Sequence, residues 1–384
     1  MTTTRTADVV IIGGGVTGVS TAFHLTRRGV RDVIVVDKGT IASGGTGKSS
    51  ACVRQHYSTA ETCRMIRYSL DFFQHFAERA DGASCGFRHT GYLLGVDDKM
   101  RKPMEASVSL QRSVGIDTRL VSPTEMRELE PRLRADDLVA GCYEPASGYC
   151  NPVETAQGFA RAARAAGARI VEDSPVVGIL LDGERVRGVR TRTGDILAPV
   201  VVNAAGLWGA RVAAMAGVEL PIQSHPLQAL VSEVLDQVLD TVVMSNAVHV
   251  YVSQAHKGEL VMGAGIDPYN SYAQRGSFHV IEEQMAAALE LFPIFARARV
   301  LRTWAGIVDV CPDASPIVGP TPVENLFVNC GWGTGGFKGT PGSGWVYAWT
   351  LAHGEAHELN RPFALERFET GALIDEHGAA AVAH

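Results

Sequence analysis

Apolar residues along this chain follow two different periods, and the change from one to the other marks out its units. Asp8-Val-Val-Ile-Ile12 is a short β-branched run; Gly13-Gly-Gly-Val-Thr-Gly18 follows, and then Val19, Ala22, Phe23 and Leu25 fall on one helical face. Gly29 stops that helix, and Val33-Ile-Val-Val36, closed by Asp37, is a second wholly apolar strand. Strand, tight turn, helix and strand make one β-α-β unit whose strands are covered on both faces. After a long loop over 38–57, Ser58-Thr-Ala-Glu61 reads as a capping box opening a helix to about residue 79, with Met65, Leu70, Phe72, Phe73 and Phe76 as its apolar face. Beyond Gly86 the spacing predicts a strand over 92–96, a helix over 99–114 and a second capping box at Ser122-Pro-Thr-Glu125.

An alanine-rich helix is expected from Asn151-Pro152 to about residue 166, then strands near 169–172, 176–181 and 186–192, turned at Asp182-Gly183 and Thr193-Gly194. Val200-Val-Val-Asn203 is another buried strand, leading to a helix at Trp208. Between 221 and 265 the strands become longer and half-polar, as in 248–253 and 259–262, which predicts an antiparallel sheet with one side lining a cavity. A helix over 278–291, strands over 307–310 and 325–330, a glycine-rich turn and a helix to about 353, with Pro341 in its first turn, complete the pattern. The order predicts the α/β class: a discontinuous, Rossmann-like nucleotide-binding domain (1–85, 141–220 and 300–384) with an inserted α+β substrate domain (86–140 and 221–299).

Composition narrows the classes. The 384 residues are 46% hydrophobic and 20% charged, which excludes collagen-like, coiled-coil and disordered chains. Net charge is −6 and no run of Lys and Arg builds a basic stripe, so nucleic acid is not an expected partner. Residues 1–7 carry no cationic, apolar and cleavage-site series, and the apolar run over 199–209 is broken by Asn203 and Gly206, well short of the ~20 residues that span a bilayer. The expectation is a cytoplasmic protein off the membrane. Seven cysteines without a Cys-x-x-Cys pair point to reduced thiols and no zinc knuckle. His353-Gly-Glu-Ala-His357 has its glutamate misplaced for a zinc-protease helix and reads as a polar helix end, so no metal is expected.

The candidate chemistry is in the turns. Gly13-x-Gly15-x-x-Gly18 sits between a strand and a helix, and Asp37 ends the next strand nineteen residues after Gly18, where a carboxylate can take two ribose hydroxyls. The glycines let the backbone approach a pyrophosphate whose charge the helix N-terminus favours. An acid at 37 argues against a 2′-phosphate, so FAD and NAD both remain. Ala42-Ser-Gly-Gly-Thr-Gly-Lys48-Ser49 fits a loose P-loop but starts after one nucleotide fold is complete, and reads instead as a glycine-rich lid over the flavin side of a dinucleotide. Gly331-Trp-Gly-Thr-Gly-Gly-Phe-Lys338 is a second turn of N–H donors aimed at something anionic or carbonyl-like. Two such turns in one chain suggest a long, extended cofactor.

Together the fingerprint, Gly44-Gly-Thr-Gly-Lys-Ser-Ser50 with Arg54, the strand Val200-Val-Val-Asn-Ala-Ala-Gly206, the Pro312-Asp313 turn and the Lys338 loop resemble the FAD-dependent D-amino acid and sarcosine oxidase family over nearly the whole chain. Within that family, the stretches 248–254, 257–263 and 330–338 and the tail 370–384 resemble the beta subunits of heterotetrameric sarcosine oxidases. The resemblance implies an extended FAD with its ring between the two domains. Gly13, Gly15, Val16, Thr17 and Gly18 would hold the pyrophosphate, Asp37 and Lys38 would flank the adenosine ribose, and Val176 would meet the adenine through its backbone. Gly45, Thr46 and Ser50 would approach the flavin, with Gly333, Gly335, Gly336 and Lys338 near the ring and ribityl chain.

The same resemblance implies that Arg54 and Lys338 grip a substrate carboxylate, and it makes His56, Tyr57 and Tyr251 candidate proton acceptors. The activity it implies is oxidation of the C–N bond of a small amino acid, sarcosine or a related secondary amine, by hydride transfer to flavin N5. Alternatives are a dehydrogenase subunit for L-proline, an opine or a D-amino acid, a nicotinamide dehydrogenase, and a non-catalytic FAD-bearing electron-transfer subunit. Partner subunits are implied, with a homo-oligomer as the other arrangement. Three departures qualify the resemblance. The beta subunits carry FMN on a histidine ahead of a helix like 153–166, but Gly148-Tyr-Cys-Asn-Pro-Val-Glu154 has none, which argues against covalent FMN there. The tethering cysteine of single-chain relatives would fall near Gly306, away from Cys311, so FAD is expected to be non-covalent. Their oxygen-activating lysine would fall near Val261, so slow reaction with oxygen is expected.

Overall fold

The computed structural model describes residues 4–374 and Glu376, so most of the tail 370–384 that carries part of the resemblance lies outside the described residues. Strands Val9–Ile12 and Val33–Val36 pair in parallel around helix Val16–Arg27, and every residue of both strands is buried. They form the centre of a six-stranded sheet ordered Arg169–Val171, Val33–Val36, Val9–Ile12, Val200–Asn203, Leu326–Cys330 and Ile317–Pro320, parallel except for the last pair. Helix Gly336–His353 returns to pack on helix Val16–Arg27, and a Cβ at Gly344 would come within 2.3 Å of Ser20 Oγ. The glycine-rich sequence of this helix is therefore what allows the two helices to lie so close. Helix Pro152–Ala165 starts as expected: the Asn151 side chain accepts from the amides of Val153 and Glu154, both at 3.1 Å.

An eight-stranded sheet forms the second unit, in the order Val300–Val310, Gln223–Val234, Glu259–Ile266, Val250–Gln254, Val242–Ser245, Tyr92–Val96, Ala140–Glu144 and Arg119–Val121. It is antiparallel except where Val242–Ser245 runs parallel to Tyr92–Val96. Helix Phe278–Leu291 packs on it through Ala288 and Leu291, in a core with Leu230, Val252 and Leu260. Two strands lie across the boundaries that the sequence pattern suggests. Ala140–Glu144 pairs with Tyr92–Val96, and Val300–Val310 pairs along the length of Gln223–Val234. The second begins seven residues before its apolar stretch, because Arg302-Thr-Trp304 is half-exposed sheet edge rather than loop. This strand carries the chain directly from the substrate sheet back to the cofactor sheet.

Four local expectations change. The box at Ser122 forms, with the Glu125 carboxylate accepting the Ser122 amide at 2.7 Å, but the one at Ser58 does not. Helix Ala60–Gln74 is capped by Thr59, and the Ser58 amide, the Ser58 hydroxyl and the Thr59 hydroxyl donate to Glu376 at 2.8, 2.7 and 2.7 Å. An acid more than three hundred residues along the chain thus takes the donors that Glu61 was expected to bind. That helix also breaks at His75 before a last turn over Phe76–Arg79. The strand expected from Val248 starts at Val250, since His249 sits in a turn at φ 54°. Pro341 lies inside its helix rather than in the first turn, because the helix takes in Gly336-Phe-Lys338.

Candidate active site

A single cavity of about 1020 Å³ runs between the two sheets, from Pro175 and Val176 past the Gly13–Thr17 turn to Lys338. At its first end, Gly13 has φ 115°, and a Cβ there would stand 2.4 Å from the Ala204 carbonyl, so strand Val200–Asn203 and the turn meet only if this residue is glycine. Helix Val16–Arg27 opens on the cavity with no side-chain cap and no acid in its first turn. Its amide N–H groups and the positive end of its dipole meet no protein anion, which is the donor set a pyrophosphate needs. Gly18 lies outside the cavity wall: a Cβ there would be 1.9 Å from the Gly13 carbonyl, so it lets the helix sit on its own turn. Thr46 pins the lid to that turn by accepting the Val16 amide at 3.0 Å. Lys48 turns back on its own loop, donating to the carbonyls of Ser43 and Gly44 at 3.0 and 3.3 Å.

Asp37 lines the cavity and also organises it. Its carboxylate accepts the Gly14 amide at 2.6 Å and the Gly39 amide at 2.8 Å, and burial holds its pKa above the usual carboxylate value. With about four lone-pair sites, two oxygens remain able to take ribose hydroxyls. Lys38 places its ammonium 3.6 Å from the Trp208 ring centroid. Lys38, Gly45, Thr46, Ser50, Val176, Gly333 and Gly336 all line the same cavity. Gly335 does not; it packs against Tyr57, where an added Cβ would be 3.0 Å from the Tyr57 hydroxyl. The chain's own residues therefore fit an extended dinucleotide: a glycine cradle, an uncapped helix N-terminus, an acid at the ribose position and a second uncapped helix, Gly336–His353, at the far end.

At that far end, Arg54 and Lys338 both line the cavity. Lys338 is buried and donates to the Thr334 carbonyl at 2.8 Å. Burial lowers its pKa to about 7, and the Arg54 charge pushes the same way. Arg54 donates to the His56 carbonyl, and its guanidinium lies 4.7 Å from the Tyr57 ring centroid. Glu144, on which sequence reasoning was silent, supplies the counter-charge felt by both cations; it is fully buried, and its carboxylate accepts from the Gln55 amide and the Ser147 hydroxyl, each at 2.6 Å. The only signal for it in the sequence is an acid ending an otherwise apolar strand.

The three proton-acceptor candidates separate. His56 lines the cavity, but burial and Arg54 lower its pKa to about 3, so it does not take up a proton at neutral pH. Tyr57 is not in the cavity wall; it is a wedge between Arg54 and Gly335, and burial raises its pKa to about 12. Tyr251 lines the cavity and bonds with Ser50, and burial likewise raises it to about 12, leaving a neutral phenol. None of the three is a base at neutral pH. Of the positions marked by the resemblance, Gly306 lines the cavity beside Lys48, whereas Cys311 is packed beneath Gly331 and Val261 is outside the wall, with Ala264 in it instead. His353 and His357 pack on Trp349, at 4.3 and 5.0 Å between ring centroids.

Comparison with known proteins fits this geometry. The sarcosine oxidase beta subunit of an Arthrobacter species is 50% identical, covering 99% of this chain and 95% of that one. That of Rhodobacter capsulatus is 37% identical over 98% and 92%. Among solved structures, an L-proline dehydrogenase from P. horikoshii superposes with a TM-score of 0.91 at 28% identity, covering 97% of this chain and 100% of that chain. A glycine oxidase from Geobacillus kaustophilus gives 0.84 at 25% identity, covering 94% and 99%. The model of the DAO family, FAD dependent oxidoreductase, matches residues 8–349. With that match over most of its length, and with a cavity built for a dinucleotide, the chain belongs to the DAO family of FAD-dependent oxidoreductases.

Proposed function

We propose that this chain oxidises the C–N bond of a small amino acid, with a secondary amine such as sarcosine as substrate, and that it does so beside partner subunits. The observation that carries the reading is the pair Arg54 and Lys338 at the far end of the cofactor cavity, two cations suited to one carboxylate. FAD, when bound, accepts the hydride that leaves the substrate carbon. The remaining work belongs to the protein. Two cations on one carboxylate fix the orientation of a small molecule and hold its C–H bond in a reactive position. They also repel a third positive charge, and burial disfavours it further, so the amine binds with its nitrogen lone pair free and no dedicated base is required. That fits the neutral states of His56 and Tyr251.

The same proposal divides the chain into a cofactor unit and a substrate unit, with strands Ala140–Glu144 and Val300–Val310 counted in the substrate sheet. FAD is held without a covalent bond: Asn151 stands where the beta subunits carry an FMN histidine, and it is occupied as a helix cap. Partner chains are supported by the relatives' being beta subunits. A cytoplasmic setting is supported by seven free cysteines; no helix among the described residues is long and apolar enough to cross a membrane. The test is anaerobic mixing of the purified flavoprotein with sarcosine, dimethylglycine, L-proline, glycine and D-alanine. Rapid bleaching of the flavin by the secondary amines supports the reading, and a spectrum that none of the panel changes removes it.

A further inference from the structure

The substrate end of the cavity holds one buried polar atom for which the protein offers no partner. His56 is 1% exposed and lines the cavity, and its Nε2 has no hydrogen-bond partner among the described residues. Its other ring nitrogen is committed. Gln111 Nε2 lies 3.1 Å from His56 Nδ1 and 2.9 Å from the Tyr57 carbonyl. A carbonyl can only accept, so the Gln111 amide must turn its NH2 group that way, and its second N–H then points at Nδ1. The Cys142 thiol, 3.4 Å from the same nitrogen, is buried with its pKa raised, and as a thiol it too can only donate there. Nδ1 is therefore an acceptor, and in a neutral ring the proton must sit on Nε2. The charged groups around the ring favour neutrality: Arg54 is two residues away and donates to the His56 carbonyl, and Glu144 is held by Gln55 and Ser147 rather than by the imidazole.

A buried N–H with no partner is costly, and native proteins rarely leave one empty. We infer that His56 is a third, neutral donor for the substrate carboxylate, its Nε2–H completing the site of Arg54 and Lys338, and that Gln111 is a positioning residue that fixes the tautomer. This rests on the proposed amino acid substrate and deepens it. A donor locked in place by Gln111 and Cys142 selects for an acceptor at one point in space, which two flexible cations alone do not do. It favours a carboxylate over a smaller or uncharged group and adds no positive charge that would further destabilise Lys338. No bond is made or broken at His56, and the proton stays on Nε2 throughout.

The experiment uses the FAD-loaded protein with acetate as a ligand that cannot be oxidised. Nitrogen-15 NMR of histidine-labelled protein, with His56 identified by the signal missing from His56→Phe, should show a neutral ring protonated on Nε2 from pH 5 to 9, its N–H shifting when acetate binds. In His56→Phe, acetate affinity and the half-saturation for flavin reduction by sarcosine should weaken by roughly 10- to 150-fold, the range for a hydrogen bond to a charged group. The limiting rate of reduction should change little, and His56→Gln, which restores an N–H, should recover part of the loss. Gln111→Leu should release the ring and mix its tautomers without removing FAD. A ring that titrates between pH 5 and 8, or a His56→Phe protein that loses limiting rate rather than affinity, makes His56 a base and overturns the inference. Unchanged acetate affinity overturns it as well, and so does loss of FAD in place of loss of acetate. If no amine bleaches the wild-type flavin, the functional reading fails, whereas the NMR and acetate measurements still decide the role of His56.

Discussion

The carboxylate of Asp309 accepts the amide N–H of Gly331 at 2.6 Å, and the amides of Trp332 and Gly333 also point at it. The turn 331–333, read from sequence as donors waiting for an external group, is thus partly satisfied from within, by an acid on the strand that links the two sheets. What remains for a ligand is the start of helix Gly336–His353. Burial raises the Asp309 pKa to about 6 even against these donors. Losing a buried acceptor costs about 1–3 kcal/mol. Asp309→Leu should therefore loosen the turn and weaken FAD retention by roughly 5- to 150-fold, read as free flavin fluorescence after dilution; a variant that keeps its flavin as wild type does would show the turn to be held by other means. The sign of the pH effect on stability follows from the raised value. The folded protein keeps the extra proton between about pH 4 and 6, so that contribution is lost as pH rises through 6, and Asp309→Asn should remove it from the denaturation midpoints.

Arg54 is the cation that does not titrate near neutrality, so its removal gives the simplest test of the carboxylate site. Truncating one partner of a buried charge pair costs about 2–5 kcal/mol, hence a loss of roughly 30- to several-thousand-fold. Arg54→Ala should raise the half-saturation for flavin reduction by that factor while flavin content stays near one per chain, since the cradle at Gly13–Thr17 is at the other end of the cavity. Unchanged reduction kinetics would mean that the carboxylate binds elsewhere.

The contrast between these two residues shows what the sequence makes legible. Gly13, Gly15, Gly18 and Asp37 lie within one β-α-β unit, so their spacing alone implies the cradle. Arg54 and Lys338 are far apart in the chain, and only the family resemblance put them at one carboxylate. The partners Glu144 to Gln55, Gln111 to His56 and Asp309 to Gly331 were not legible at all, because each joins different elements and no period or motif links them. The Ser58 box failed for the same reason: its donors were claimed by Glu376, and local propensity carries no record of a distant competitor. Boundaries slipped most where strand Val300–Val310 crosses between units, since a half-polar strand at a sheet edge reads locally as loop.

Non-covalent attachment of FAD makes a prediction of its own. Cys311 is 1% exposed and packed under Gly331 outside the main cavity, and burial pushes its thiol pKa up, so it is neither placed nor ionised to attack a flavin. Gly306, which does line the cavity, has no nucleophile. Precipitation with acid should leave the yellow colour wholly in the supernatant, with a mass spectrum of the chain showing no flavin adduct. Colour in the pellet would locate a tether that this arrangement of residues does not provide.

The low pKa of Lys338 gives the carboxylate site a pH dependence whose direction is fixed. Burial is the larger cause and Arg54 the next, while Cys52 and Glu144 oppose them, leaving the ammonium to lose its proton near pH 7. The charged form attracts an anion and the neutral form does not. A bound carboxylate must in turn raise the Lys338 pKa, so binding takes up a proton around and above pH 7. Acetate affinity should then be highest below pH 7 and fall as pH rises through it, approaching tenfold per unit until the neutral form's own affinity is reached. In the protein without ligand, the unfolded chain binds more protons than the folded one between about pH 7 and the free lysine value near 10.4, so stability should rise with pH across that window. Lys338→Met should bind acetate weakly at every pH, and with the titrating cation gone its affinity should be flat between pH 6 and 9. Acetate binding to the wild type that is equally flat over that range would show that Lys338 keeps its proton, and would take the pH-dependent half of the carboxylate site with it.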